Sequence, residues 1–181
     1  MSSVHRLTPL PIASVRGKLL VAEQVIVPTL AALRASAGSD GPHEGLVLWL
    51  GRTIGPTTVV MAQVCPPART GRDFVFLDEP AVATAARTAH RYGLGVVAQV
   101  HSHPGLDTRH SDGDDQLVLM PFEGMFSLVV ASYGTGSLDP ERGAGLHQYQ
   151  DERWVRITDH QAMVVVAAVP VVETAGGTGH R

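Results

Sequence analysis

The 181-residue chain has a single cysteine, Cys65, which excludes an intramolecular disulfide framework. It also excludes zinc sites built on paired thiolates, including the Cys-x-x-Cys arrangement of nucleobase deaminases. The simplest reading of Cys65 is a small buried side chain ahead of Pro66 and Pro67, in a reducing compartment. Basic charge is scarce as well: 14 Lys and Arg against 17 Asp and Glu leave a formal net charge of −3, and the arginines form no stripe. This argues against a phosphate-binding surface and hence against nucleic acid as a partner. Long apolar runs are missing. Leu19 to Leu33 is interrupted by Glu23 and Pro28, and Met163 to Val172 is only about ten residues long with Pro170 inside, too short to span a bilayer. With no secretory segment in view, the chain reads as cytoplasmic and without a membrane partner. The His-Glu-x-x-His of helical zinc proteases is also absent.

What remains suits one domain. A 44% hydrophobic content and this length allow a sizeable core. The expected division is a single domain over residues 1–181, with a core at about 18–160 and a C-terminal extension, 161–181, whose Gly- and Thr-rich end from Glu173 to Arg181 frays.

The patterning alternates. Leu19 to Glu23 reads as a short strand and Val27 to Ala37 as a helix with Pro28 in its first turn. Gly45 to Leu50 and Thr58 to Val64 are apolar runs that pair as an antiparallel hairpin, followed by a Pro-, Arg- and Gly-rich loop from Cys65 to Arg72. Pro80 to Tyr92 has helical spacing, with Asp78 as N-cap. Gly95 to Val100 is a buried strand and Ser111 to Met120 a helix with Ser111 near its N-cap. Met125 to Ser132 makes a further strand, and His147 to Gln150 with Trp154 to Thr158 a last hairpin. Hairpins need antiparallel pairing while the helix between Val64 and Gly95 permits a parallel crossover, so the fold class is α/β of mixed α+β type, a mixed sheet flanked by helices.

One stretch carries chemistry of its own. His101-Ser102-His103-Pro104 is followed, after the loop ending at His110, by Ser111-Asp112-Gly113-Asp114. On a strand, side chains at i and i+2 share a face, so His101 and His103 present their rings together. Pro104 cannot continue a ladder, and the loop is long enough to bring Asp114 back as a third donor. Imidazole and carboxylate donors without a thiolate suit zinc, and three protein ligands leave a fourth position for water, the catalytic arrangement. Glu44, at the head of the Gly45 to Leu50 run, is the candidate to take the proton from that water. His110 and His43 lie close enough to support a ligand or act as an alternative one, but their loop positions favour solvated residues, and Ser111 has two readings: a helix cap or an oxyanion donor.

The upstream Glu, then His-x-His, seven residues, Ser, two residues and Asp, resembles the JAMM (MPN+, or JAB) metalloprotease family. The resemblance rests on Glu44, His101, His103, Pro104, Ser111 and Asp114, and more loosely on the element order from Lys18 to Thr158. Many members show Glu, two residues, then Gly; here Gly45 follows Glu44 directly. The resemblance implies a curved, cytidine-deaminase-like mixed sheet with zinc at its edge. It implies zinc ligands at His101, His103 and Asp114, an oxyanion-stabilising hydroxyl at Ser111 and a general acid/base at Glu44. The activity it implies is hydrolysis of a peptide or isopeptide bond after the C-terminal tail of a ubiquitin-like or sulfur-carrier-like protein. It also admits a homodimer, a non-catalytic MPN scaffold, or a hydrolase of small peptide or amino-acid conjugates.

Overall fold

A computed structural model describes residues 8–117 and 121–167. The expected fraying of 173–181 and the last three residues of the expected Ser111 to Met120 helix lie outside these. The strands in chain order are β1 (Ile12–Ala13), β2 (Lys18–Ala22), β3 (Ala37–Gly38), β4 (Gly41–Pro42), β5 (Leu46–Ile54), β6 (Thr57–Val64) and β7 (Arg69–Thr70). They continue with β8 (Val75–Phe76), β9 (Gly95–Ser102), β10 (Phe126–Val130), β11 (Gly145–Gln150), β12 (Arg153–Ile157) and β13 (Met163–Val166). Two α-helices, α1 (Glu23–Ala35) and α2 (Glu79–Arg91), join them.

Nine strands form one mixed sheet in the order β1-β12-β11-β10-β9-β5-β6-β2-β13, and β3-β4 and β7-β8 are small separate hairpins. Helix α1 covers one face through Val25, Thr29 and Leu33, spaced four residues apart, against Val47, Trp49 and Val60. Ala81 and Ala85 of α2 meet Leu46, Leu48 and Leu77 on the other. The alternation of Leu46 and Leu48 with Val47 and Trp49 is the two-residue period of a strand buried on both sides. Burial of each such large side chain contributes about 1.5–3 kcal/mol. Trp49 also donates its indole N–H to Thr29 Oγ1 at 2.9 Å, and Thr29 in turn donates to Gln63 Oε1 at 2.7 Å, so the polar atoms in this core are paired.

Three expectations need correction. Helix α1 begins at Glu23, so Pro28 stands inside it rather than in its first turn and removes one backbone bond, a loss outweighed by the buried Val25, Thr29 and Leu33 stripe. Cys65 is exposed: it follows the last residue of β6, and the next residue, Pro66, takes the inward position instead. Within the expected Ser111 to Met120 helix, the described residues form one 3-10 turn, Asp114–Gln116, whose N-cap is Gly113. The expected Asp78 cap is present, its carboxylate accepting from Ala81 N at 2.9 Å.

The topology decides where chemistry can sit. β9 and β10 are parallel neighbours, so the chain must leave the carboxyl end of β9 and cross over before entering β10. Residues 103–125 are that crossover. β5 runs antiparallel to β9 with Leu46 opposite His101, so the residues that precede β5 lie at the edge where the crossover leaves. Extending that register by two residues sets Glu44 opposite His103.

Candidate metal centre

His101 closes the apolar part of β9 and His103 follows the strand's last residue. His103 is held by backbone bonds, its N–H donating to Val130 O at 2.9 Å and its carbonyl accepting from Tyr133 N at 2.8 Å. Ser132 and Tyr133 both have a φ of 53°, the left-handed region that such residues seldom occupy, and Ser132 N donates to Gly105 O at 2.9 Å. Strain of this kind, of the order of 1–3 kcal/mol per residue, persists where surrounding bonds over-determine it.

The crossover brings Asp114 back to the two imidazoles. His101 Nε2 and His103 Nε2 are 3.2 Å apart, and Asp114 Oδ2 lies 3.3 Å from the first and 3.0 Å from the second. All three residues are buried. Ligands about 2.0–2.1 Å from a tetrahedral zinc ion stand about 3.3 Å from one another, so this triangle has the dimensions of one face of such a site. The hydrogen bonds agree. His103 Nδ1 lies 2.8 Å from the carbonyl of Asp107, an acceptor that fixes the ring proton on Nδ1 and leaves Nε2 with a lone pair. Two imidazole nitrogens and a carboxylate oxygen then converge on one point. A proton can satisfy one of these pairs, whereas a divalent cation satisfies all three, so the donors fit a metal ion.

The electrostatics of the three groups follow from burial and from one another. Desolvation pushes His101 down to about 4, which keeps it neutral, the form that ligates. Desolvation is also the largest single effect on His103, but the hydrogen bond and charge of Asp114, with Glu44 and the Asp107 carbonyl adding to them, together outweigh it and raise the ring above the ordinary value. Burial alone would raise Asp114; the charge and hydrogen bonds of the two histidines reverse this and hold the carboxyl far below the usual range. Asp114 Oδ2 also accepts from Ser111 N at 2.6 Å, while Ser111 Oγ accepts from Asp114 N at 3.3 Å. Ser111 and Asp114 thus hold each other, although the cap position of the 3-10 turn that follows is Gly113.

Glu44 is 2% exposed and its Oε1 has no hydrogen-bond partner. Burial raises it to about 8, with His103 pulling it down and Asp114 and Asp73 pushing it up. Its backbone is fixed on both sides: Glu44 N donates to Gly71 O at 2.8 Å and Glu44 O accepts from Ser36 Oγ at 2.9 Å. Gly45 explains why a glycine directly follows Glu44. A Cβ there would lie 2.9 Å from both the Cα and the carbonyl oxygen of Leu33, so only glycine lets this strand start approach the end of α1.

Sequence reasoning assigned too little to two histidines. His110, expected in solvent, is 1% exposed, and His147 is fully buried beneath it with ring centroids 4.1 Å apart. Gln99 and Ser127 lie beside them. The signal was available: Gln99 interrupts an apolar strand on the same face as His101, two positions before it. His43 is elsewhere, bonded to Asp40 at 2.7 Å and Thr70 at 3.0 Å.

Comparison with known proteins bears on the family and on the fold. The model of prokaryotic homologues of the JAB domain matches residues 27–155. A probable metalloprotease, y4jG, of Sinorhizobium fredii is 34% identical over 120 residues, 62% of this chain and 71% of that protein. The solution structure of protein DSY2949 from Desulfitobacterium hafniense superposes with a TM-score of 0.63 at 16% identity, covering 83% of this chain and 94% of that one, which speaks for the fold. With most of its length matched by the family model, and with His101, His103 and Asp114 able to share one ion, the chain belongs to the family of prokaryotic JAB-domain homologues.

Proposed function

We propose that this protein is a zinc-dependent hydrolase that cleaves a peptide or isopeptide bond after the C-terminal tail of a ubiquitin-like or sulfur-carrier-like protein. The observation that carries the reading is the triangle of His101, His103 and Asp114 beside a buried carboxyl, Glu44, whose proton affinity lies near neutrality. Likeness to a probable metalloprotease supports the peptidase assignment.

His101, His103 and Asp114 would hold zinc, which when bound supplies a Lewis acid for the scissile carbonyl and lowers the pKa of water. Glu44 Oε1 takes the proton of the attacking water and returns it to the departing amine nitrogen, a task suited to a carboxyl that titrates near the working pH. The Ser111 hydroxyl donates to the oxygen on which negative charge develops. Burial of Glu44 at 2% exposure keeps its proton from exchanging with bulk solvent during that transfer. The β7-β8 hairpin, whose Gly71 carbonyl holds Glu44 N and which carries exposed Phe74 and Phe76, offers an edge where an extended tail can lie by strand addition.

The test is hydrolysis of ubiquitin-like fusions and of short peptides by the zinc-loaded wild type and by Glu44→Gln. The expected result is turnover of the fusion in preference to the peptides, and a drop of about 10²–10⁴ in Glu44→Gln with zinc content unchanged. Equal rates for the two proteins would remove Glu44 from the mechanism, and preference for short peptides would replace the protein substrate.

A further inference from the structure

The floor beneath the candidate centre is polar where a sheet interior is normally apolar. In the registers of β9, β10 and β11, Gln99 pairs with Ser127 and Ser127 with His147, so these three side chains form one row across three central strands, all fully buried. The next row toward the carboxyl end of β9 is His101, Val129 and Gly145. Burying three polar side chains in a sheet centre costs free energy unless they are bonded, so the row must serve a partner.

That partner is His110, the residue just before Ser111. Its Nε2 lies 2.7 Å from Ser127 Oγ, which is itself 3.0 Å from Gln99 Nε2. Its Nδ1 lies 3.5 Å from Asp115 Oδ1, beyond a hydrogen bond but on the side where a carboxylate favours the ring proton. Nε2 is therefore an acceptor, Ser127 donates to it, and Ser127 in turn accepts from the Gln99 amide. One assignment of protons satisfies both of these contacts, while Gln99 Oε1, His110 Nδ1 and His147 Nδ1 have no hydrogen-bond partner. The backbone of His110 is held as well, its N–H donating to His147 Nε2 at 3.4 Å. The ring stacks over His147, meets Trp154 edge-on at 5.1 Å and leans on His101 at 5.7 Å between centroids.

We infer that His110 is a positioning residue of the metal centre: a buried peg, seated in the Gln99, Ser127 and His147 row, that fixes the end of the crossover so that Ser111 and Asp114 meet His101 and His103. The crossover has no helix or strand between Pro104 and Asp114, so single contacts hold it: His103 Nδ1 against Asp107 O at 2.8 Å and Ser132 N donating to Gly105 O at 2.9 Å fix its first half. Thr108 Oγ1 donates to Gly143 O at 3.0 Å, and the Thr108 carbonyl lies where a Cβ on Gly145 would be, 1.7 Å away, so glycine is required for the loop to settle on β11. Leu117 is buried on the far side of Asp114, and His110 is the buried anchor on the near side, four residues before the Asp114 amide that Ser111 Oγ accepts from. Without it the third donor is free to drift from the imidazole pair, and a divalent ion loses a preformed site.

The inference rests on the zinc reading above, and metal binding separates the two. Zinc affinity is measured on the full chain by competition with a chromophoric chelator, and coordination geometry by the visible absorption of the Co2+-loaded protein. His110→Leu keeps side-chain bulk but removes the acceptor, and it is expected to weaken zinc binding by about 10–100-fold and to change the Co2+ spectrum. His110→Gln, whose Oε1 reaches the place of Nε2, is expected to restore most of both. Ser127→Ala, which leaves the ring in place and removes its donor, should weaken zinc binding by a factor of about ten and serves if His110→Leu does not fold. Wild-type affinity in His110→Leu or in Ser127→Ala overturns the inference, as do equal losses in His110→Leu and His110→Gln, which would assign the effect to packing alone. A wild-type protein that binds neither Zn2+ nor Co2+ overturns the zinc reading instead.

Discussion

Two pairs of buried imidazoles lie side by side in this molecule, and they are turned differently. His101 and His103 direct their edges at each other, with Nε2 atoms 3.2 Å apart and planes inclined at 57°. His110 and His147 present their faces, with centroids 4.1 Å apart and planes at 31°. Edges carry lone pairs and faces carry only packing surface. The first pair meets a carboxylate, Asp114, at 3.0 and 3.3 Å and a second acidic group, Glu44, opposite His103 in register; the second pair meets the edge of Trp154 and the hydroxyl of Ser127. Burial alone therefore does not mark a histidine as a ligand. What marks it is a lone pair aimed, together with others, at a point that only a cation can fill.

The contrast is broken most severely at Asp114. Asp114→Ala leaves two imidazole edges with no counter-charge, and zinc measured per chain is expected to fall from about one to near zero, with affinity reduced by at least ~10² and turnover lost. A variant that keeps its zinc would show that the carboxylate is not a ligand.

Glu44 gives a smaller and pH-dependent effect. Its folded value is raised from 4.5 to about 8, chiefly by burial. Between those values the folded chain keeps a proton that the unfolded chain has released, so the stability due to Glu44 is full below 4.5 and is lost as pH rises through about 8. His101 and Asp114 shift in the opposite sense and are present in both proteins, so the difference reports Glu44 together with its effect on His103, which Glu44 helps to raise. In metal-free protein, the Tm of Glu44→Gln is expected to exceed that of wild type by an amount that grows from pH 5 to pH 8, reaching on the order of a few °C. Thermal melts across that range check it; parallel curves would mean that Glu44 ionises without penalty.

The edge-to-edge pair was legible in the sequence because its information is local. A two-residue spacing on a strand, a proline to end it and a carboxylate within loop reach specify His101, His103 and Asp114 without any long-range knowledge. The apolar runs of β5, β6 and β9 were legible for the same reason, and so was Asp78 as the cap of α2. The face-to-face pair was not. His110 and His147 are 37 residues apart, and their contact depends on β11 lying next to β10, which local pattern does not decide. Pro28 misled by its usual preference for a first turn, since the stripe that holds α1 together begins upstream of it at Val25. Cys65 misled by its usual burial, since facing direction at the end of β6 is set by Pro66 and not by the cysteine.

The gentlest probe of the comparison is His147→Phe. Desolvation, with the neighbouring His110 and His101 acting in the same direction, drives the proton affinity of His147 well below the ordinary value, and its Nδ1 has no hydrogen-bond partner. A phenyl ring keeps the stacking face under His110, removes that unpaired nitrogen and gives up one long bond to His110 N at 3.4 Å. A gain and a loss of similar size should nearly cancel, leaving stability within about 1 kcal/mol of wild type by denaturant titration. Zinc should remain at one per chain, because a histidine that offers a face supplies no donor. Loss of the metal in this variant would mean that the second pair contributes more than packing to the centre, and the distinction between edges and faces would fall with it.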